Sequence, residues 1–136
     1  MAITRDKPSE EQLLFLTTVV EQSTESVLIT TAQLDLPGPQ IVYVNPAFTR
    51  MTGYAREEVI GKTPRMLQGP KTDRSVLNRL RSDCAAGKIF HGEVINYRKD
   101  GSEFCLAWTV APVWNERGGR SHTILICSSV ERPVVY

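Results

Sequence analysis

The stretch IVYVNPAFTRMTGYAREEVIG, residues 41–61, places a strand directly before a capped helix. The residues IVYV (41–44) are of the β-branched and aromatic kind that favours a strand. Asn45 is a preferred N-cap residue, and Pro46 is preferred at the first position of a helix. We therefore predict a short helix that begins after Asn45 and ends at Gly53.

The residues before this stretch predict a helix, a strand and a loop. Ser9 and Gln12 have the spacing of a capping box, and apolar residues follow at helical spacing, which predicts a helix over about 9–22. The residues ESVLITT (25–31) predict a first strand, and the Pro/Gly-rich segment 34–39 predicts a loop. The apolar stripe of the helix either packs on the domain or pairs with a second copy, and the sequence leaves both open.

The segment GKTPRMLQGPKTDR (61–74) is too rich in glycine and proline to form a long helix. It carries two arginines and a glutamine, side chains that could hold a phosphate. The preceding AREEVIG (55–61) predicts a short helical turn. Asp73 predicts the N-cap of a further helix that stops near Gly87.

The C-terminal half of the chain predicts three antiparallel strands, over about 89–99, 102–114 and 121–130. Asp100-Gly101 is a two-residue hairpin signal between the first two strands. Residues 115–119 predict the second turn. The order of helix, two strands, short helices and three strands predicts an α+β domain.

Composition excludes several classes of function. The 136-residue chain is 41% hydrophobic and 23% charged, with a formal charge of +1, so nothing favours nucleic-acid or membrane binding. No apolar run approaches the roughly 20 residues that span a bilayer, and the N-terminus lacks a signal-peptide core, so we expect a soluble, cytoplasmic protein. The three cysteines have no disulfide or metal spacing, which predicts no metal site. No catalytic set of side chains is visible, so we do not expect an enzyme.

Four segments together resemble the PAS domain family. They are VYVNPAFTRMTGYAREEVIGK (42–62), RMLQGPKTDR (65–74), NYRKDGSEF (96–104) and VAPVWNERG (110–118). The resemblance implies a five-stranded antiparallel sheet with short helices over one face, which enclose a pocket. Together with the helix predicted before the first strand, it gives three expected parts: a cap or dimerisation helix (1–22), a PAS domain (23–132) and the start of a linker to an absent output domain (133–136).

The segment GKTPRMLQG (61–69) is most similar to the LOV branch of this family, the flavin-binding blue-light sensors. Members of that branch carry a cysteine in this segment that forms a photoadduct with the flavin. Pro64 stands at the cysteine position here, and Thr63 stands at the preceding asparagine. Because proline has no nucleophile, the resemblance implies that the usual adduct cannot form.

The resemblance also implies which residues line the pocket. Arg65, Gln68 and Arg81 match groups on the phosphate side of the flavin, and Asn96 matches one of two asparagines at the edge of its ring. Four further ring positions differ: Leu106 replaces the second asparagine, Cys127 a glutamine, Leu125 a glycine and Trp108 a phenylalanine. We expect these larger or apolar side chains to close or retune the ring site.

Other interpretations of these residues remain open. Surface ion pairing is the alternative for the arginines, with Arg81 near Asp83. Asn96 is either a ligand contact or a strand residue bonded to backbone. Cys127 is either a ligand-sensing thiol or a small buried hydrophobic residue.

We therefore expect a sensory module that regulates an attached histidine kinase, diguanylate cyclase or similar output domain. Its pocket would be empty or hold a small apolar ligand, and it would signal through packing changes and dimerisation. The alternative is a flavin-binding sensor, with FMN as cofactor, that lacks the adduct cysteine. The expected partners are a second copy, through the N-terminal helix and the sheet face, and the covalently attached output domain.

Overall fold

The computed structural model describes residues 9–130 and contains one antiparallel sheet of five strands. In chain order the elements are α1 (Glu10–Gln22), β1 (Ser26–Thr31), β2 (Ile41–Val44), α2 (Pro46–Thr52), α3 (Arg56–Val59), a 3-10 turn (Pro64–Leu67), α4 (Arg74–Ala85), β3 (Phe90–Tyr97), β4 (Glu103–Trp114) and β5 (Arg120–Val130). The strand order is β2-β1-β5-β4-β3, and α2, α3 and α4 pack on the sheet. The predicted α+β fold with an N-terminal flanking helix is confirmed.

Side-chain caps fix the starts of three helices, as predicted. Ser9 forms a capping box at the start of α1. The Oδ1 atom of Asn45 accepts the N–H of Phe48 at 3.2 Å where α2 begins. Asp73 accepts the N–H of Ser75 at 2.9 Å where α4 begins. Each bond satisfies a backbone donor that has no partner within its helix.

The turn between β3 and β4 is one residue longer than the predicted two-residue hairpin. The N–H of Arg98 donates to the carbonyl of Ser102 at 2.9 Å, which leaves residues 99–101 in the loop. Gly101 has a φ of +88°, and Asp100 Oδ1 accepts the N–H of Ser102 at 2.9 Å. Three-residue hairpin loops place glycine in this left-handed conformation, so the Asp-Gly pair marks the turn but not its length.

The core lies between the sheet and the helices that cover it. Phe48 of α2, Val59 of α3 and Phe90 of β3 are almost completely buried there. An ion pair between Glu58 and Lys99 joins α3 to the β3–β4 loop. Both of its side chains are substantially exposed, so it contributes little stability.

Helix α1 lies outside this core and exposes its apolar residues. None of its residues is buried, and Val19 is 67% exposed. Only its C-terminal end is fixed by side-chain hydrogen bonds to the sheet side of the domain. The hydroxyl of Tyr43 donates to Glu21 at 2.6 Å, and Nδ2 of Asn45 donates to the carbonyl of Val20 at 2.9 Å.

Part of the expected organisation falls outside the described residues. This applies to residues 1–8, the start of the predicted cap segment, and to the predicted linker 133–136. Among the residues that are described, no helix has the length and apolar character needed to cross a membrane.

Candidate ligand-binding site

A cavity of about 860 Å³ lies between the sheet and the segments that cover it. Strands β1, β3, β4 and β5 form one side, and α2, the 3-10 turn and α4 form the other. The structure brings together on this cavity all eight residues singled out from the sequence: Arg65, Gln68, Arg81, Asn96, Leu106, Trp108, Leu125 and Cys127. Their role in binding stays a prediction.

The strand register arranges the cavity floor in rows. Leu28 on β1, Leu125 on β5 and Val110 on β4 are direct cross-strand neighbours, which makes an apolar row. Cys127, which is two residues after Leu125 on β5, pairs with Ser26 on β1 and with Trp108 on β4. The second row therefore carries a hydroxyl, a thiol and an indole N–H across three adjacent strands.

Within residues 9–130, three buried side-chain polar atoms have no hydrogen-bond partner. They are Ser26 Oγ, Asn96 Oδ1 and Trp108 Nε1, and all three residues line the same cavity. Buried polar groups in native proteins are nearly always paired, with protein or with bound molecules. A hydroxyl, an acceptor and a donor without partners on one cavity point to a polar ligand that supplies the missing bonds.

The side chains of Trp108 and Leu125 line the cavity without closing it, so of the two expected effects, closure or retuning of the ring site, closure is not observed. The indole of Trp108 meets the ring of Phe90 edge-on, with centroids 5.8 Å apart and an angle of 87°. Leu125 lies in the apolar row between Leu28 and Val110. Both side chains therefore extend the cavity wall, and volume remains between the wall and α4.

Two of the predicted binding residues are arginines on the side of the cavity that the 3-10 turn and α4 form. Arg65, on the turn, is exposed and its guanidinium lies over Gly38. Arg81, on α4, donates to the carbonyl of Leu34 at 2.7 Å and pairs with Asp35 at 3.4 Å. Arg81 therefore pairs with Asp35 and not with Asp83, so the alternative of surface ion pairing holds for Arg81 with a different partner. Both guanidinium groups border the cavity, where they can meet an anionic group.

Two thiols line the cavity, Cys84 from α4 and Cys127 from β5. Burial, with a smaller contribution from the nearby Glu25, raises the pKa of Cys127 to about 12. Burial also raises the pKa of Cys84. Both groups are neutral thiols at physiological pH, because a raised pKa favours the protonated form. Pro64, the first residue of the 3-10 turn, lines the cavity without a polar side chain.

Sequence reasoning missed Ser26 as a cavity residue. The first strand was predicted correctly, but a serine at its start gave no signal by itself. Strand alternation together with the pairing of β1 and β5 would have placed Ser26 beside Cys127. Within the described residues, no group of three His, Cys, Asp or Glu side chains is arranged to hold a metal ion.

Comparison with known proteins agrees with this geometry. A protein-family model described as "PAS domain" matches residues 24–130. Over 84% of its length the chain is 40% identical to blue-light-activated histidine kinase 1 of Erythrobacter litoralis, and over 60% of its length it is 40% identical to phototropin-2 of Oryza sativa subsp. japonica. It is 38% identical, over 77% of its length, to a blue-light-activated histidine kinase of Brucella canis. The chain spans only 31%, 9% and 21% of these three proteins.

Two solved structures are similar along most of the chain, each at 29% identity. One, reported as "Structure of an RNA-binding Light-Oxygen-Voltage Receptor", has a TM-score of 0.82 and covers 95% of this chain and 36% of its own. The other, reported as "Flavin Analogue Sheds Light on Light-Oxygen-Voltage Domain Mechanism", has a TM-score of 0.77 and covers 86% of this chain and 85% of its own.

Proposed function

Because this chain belongs to the PAS domain family, we propose that it is the sensory input module of a longer signalling protein and that its cavity binds a flavin. The relatives named as blue-light-activated kinases and the neighbour described with a flavin analogue support this choice of ligand. The observation that carries the proposal is the cavity with its unpartnered buried polar atoms. Such atoms cost stability until a ligand pairs with them.

The described residues fit a flavin. A volume of about 860 Å³ lies within the range of roughly 300–1,000 Å³ for small-molecule sites. Asn96 Oδ1 is a buried acceptor that can take an N–H from the ring edge. Arg65, Gln68 and Arg81 border the cavity where they can hold the phosphate of FMN. The open cavity favours this ligand over the empty or apolar pocket expected from the sequence.

A bound flavin would supply blue-light absorption and redox chemistry. The protein would orient it and exclude water, and it would not form the usual thiol adduct, because Pro64 offers no nucleophile. Cys127 remains a neutral thiol, since burial raises its pKa to about 12. The response would therefore pass to the protein through changes in hydrogen bonding and packing.

A path of contacts from the cavity to α1 supports signalling by packing changes. Ser26 lines the cavity, and the N–H of the next residue, Val27, donates to Asn45 Oδ1 at 2.9 Å. The Nδ2 atom of Asn45 donates in turn to the carbonyl of Val20 at the end of α1. A shift of β1 at the cavity would move the end of α1 through this side chain.

The proposed partners are a second copy of this chain and an output domain in the same polypeptide. The exposed apolar residues of α1 provide the surface for the second copy. The names of two relatives include a kinase activity. This chain matches only 31% and 21% of their lengths. Any catalytic output would belong to segments beyond this domain.

The test is reconstitution with FMN or riboflavin, followed by desalting and a visible absorption spectrum. We expect the protein to retain the visible flavin band, at about one flavin per chain. Loss of the band on desalting, for both flavins, would reject flavin as the ligand.

Two adjacent positions on β5 provide matched controls. Cys127 faces the cavity, whereas Ser128 faces the opposite side of the sheet. Cys127→Trp should abolish flavin retention by filling the cavity, and Ser128→Trp should retain it. Equal retention by both variants would place the flavin elsewhere on the protein.

A further inference from the structure

Trp108, a residue of the cavity wall, carries a buried hydrogen-bond donor that has no acceptor within residues 9–130. Its side chain is part of the cavity wall, and the residue is only 8% exposed. Its Nε1 atom has no partner within the described residues. An indole N–H can only donate a hydrogen bond, so its missing partner must be an acceptor. A buried indole usually finds a partner, and here the cavity is where that partner can lie.

The packing around Trp108 holds the indole in place without using its N–H. Phe90 contacts the indole edge-on, and the guanidinium of Arg79 lies over the Phe90 ring at 4.9 Å. Arg79 also donates to the carbonyl of His91 at 3.0 Å, which fixes its position. At Gly92, the cross-strand neighbour of Trp108, a Cβ atom would lie 2.5 Å from the Phe90 ring. The absence of a side chain there leaves room for this arrangement.

A second unpartnered group lies in the same row of the floor. Ser26 Oγ is also buried and has no partner in the described part of the chain, and Cys127 lies between Ser26 and Trp108 across the strands. Leu106, which is two residues before Trp108 on the same face of β4, has no polar atom to offer. The polar contacts available from β4 to a ligand in this cavity therefore come from position 108.

We propose that Trp108 determines ligand specificity by donating its indole N–H to an acceptor atom of a planar heteroaromatic ligand. The acceptor is a carbonyl oxygen or an unprotonated ring nitrogen, and the hydroxyl of Ser26 is a second partner at the same edge. This inference rests on the proposed binding of a flavin, whose ring carries acceptors of both kinds. Trp108 is then a binding residue and not only a space-filling replacement.

The test compares Trp108→Phe with the wild-type protein in a riboflavin titration. Phenylalanine keeps an aromatic ring and removes the N–H, so we expect binding to weaken by up to about tenfold. If Trp108 only occupies space, the smaller ring enlarges the site, and binding stays equal or becomes tighter. That opposite result would overturn the inference. Trp114→Phe, at the exposed end of the same strand, is the matched control and should leave binding unchanged.

A spectroscopic measurement covers the case in which Trp108→Phe does not fold. In the Trp114→Phe protein, Trp108 is the remaining tryptophan, and ultraviolet resonance Raman reports hydrogen bonding of its N–H. We expect riboflavin to shift this signal toward a bonded indole, and an unchanged signal with riboflavin bound would overturn the inference alone. Failure of the wild-type protein to bind riboflavin or FMN would overturn both this inference and the proposed function.

Discussion

Asn96 shows how one residue can oppose stability and favour binding. Its Oδ1 atom is buried and has no hydrogen-bond partner within residues 9–130, although the residue lies in a regular strand pair with Phe104. A buried acceptor of this kind destabilises the unliganded protein by about 1–3 kcal/mol. The same atom stabilises a complex in which a ligand N–H reaches it.

Asn96→Leu should therefore change stability and affinity in opposite directions. We expect the unliganded variant to unfold at the same temperature as wild type or higher, because an unpaired polar atom is replaced by an apolar group. Its affinity for flavin should fall by up to about tenfold. Thermal unfolding without ligand and a flavin titration measure the two effects. A variant that is clearly less stable and binds flavin normally would show that Asn96 has a structural role.

The resemblance to the PAS family made part of the site predictable at the scale of single residues. Strand alternation puts positions 106 and 108 on one face of β4 and 125 and 127 on one face of β5, and the resemblance implies that these faces line the pocket. The state of Trp108 Nε1 does not follow, because the contact with Phe90 sets the direction of the indole. The open volume beside Leu125 also depends on tertiary packing, so the sequence did not predict it.

At the scale of elements, local caps explain why most helix and strand positions were predicted closely. Asn45, Gly53 and Asp73 act through residues only a few positions away, which a sequence displays directly. The bond of Arg81 to Leu34 joins residues 47 positions apart. Nothing in the sequence near either residue indicates that contact, which is why Asp83 was the expected neighbour.

Two carboxylates that accept hydrogen bonds, Asp73 at the start of α4 and Asp100 in the β3–β4 loop, predict a loss of stability in acid. Hydrogen bonds from Ser75 lower the pKa of Asp73, and hydrogen bonds from Ser102 lower the pKa of Asp100. A lowered pKa in the folded state contributes stability above the unfolded value of about 3.9, and this stability is lost as the pH falls through the folded pKa. Urea unfolding at several pH values between neutral and strongly acidic conditions should show this decline.

Variants at Asp73 separate the charge from the cap. Asp73→Asn keeps a good N-cap, so neutral-pH stability should change little while the decline in acid becomes shallower. Asp73→Ala should lower stability at neutral pH, because it removes the side-chain cap of α4. An acid decline as steep in Asp73→Asn as in wild type would assign it to other groups.

The exposed stripe of α1 predicts self-association. Leu14 and Val19 are about two-thirds exposed, and α1 has no buried residue, so charges there should not disturb the core. We expect the wild-type protein to be a dimer by light scattering, and the double variant Leu14→Glu, Val19→Glu to be a monomer with a similar unfolding temperature. Glu11→Gln, also exposed on α1, is the control. A wild-type monomer at high concentration, or a dimer that survives the double variant, would remove α1 from the interface.

At the scale of the whole molecule, Asn45 connects elements that are distant in sequence. It accepts N–H bonds from Val27 and Phe48, and it donates to the carbonyls of Val20 and Glu25. The cavity strand β1, the core helix α2 and the end of α1 therefore meet at one buried amide. A domain that signals by packing changes needs such a connection between its pocket and its outer helix.

Asn45→Ala should weaken both the fold and this connection. Loss of the cap and of buried partners should lower the free energy of unfolding by about 2–4 kcal/mol. Amide hydrogens near the end of α1 should exchange faster than in wild type, by more than global destabilisation explains. Uniformly faster exchange across the domain would mean that Asn45 serves stability alone.

The binding of a flavin is tested most directly by native mass spectrometry of the purified protein after reconstitution with excess FMN. We predict the mass of the chain plus one flavin, with the flavin lost on denaturation and the chain mass unchanged. That result would establish non-covalent binding at one site per chain. The mass of the unliganded chain alone, or of the chain with a retained apolar molecule in place of flavin, would contradict it.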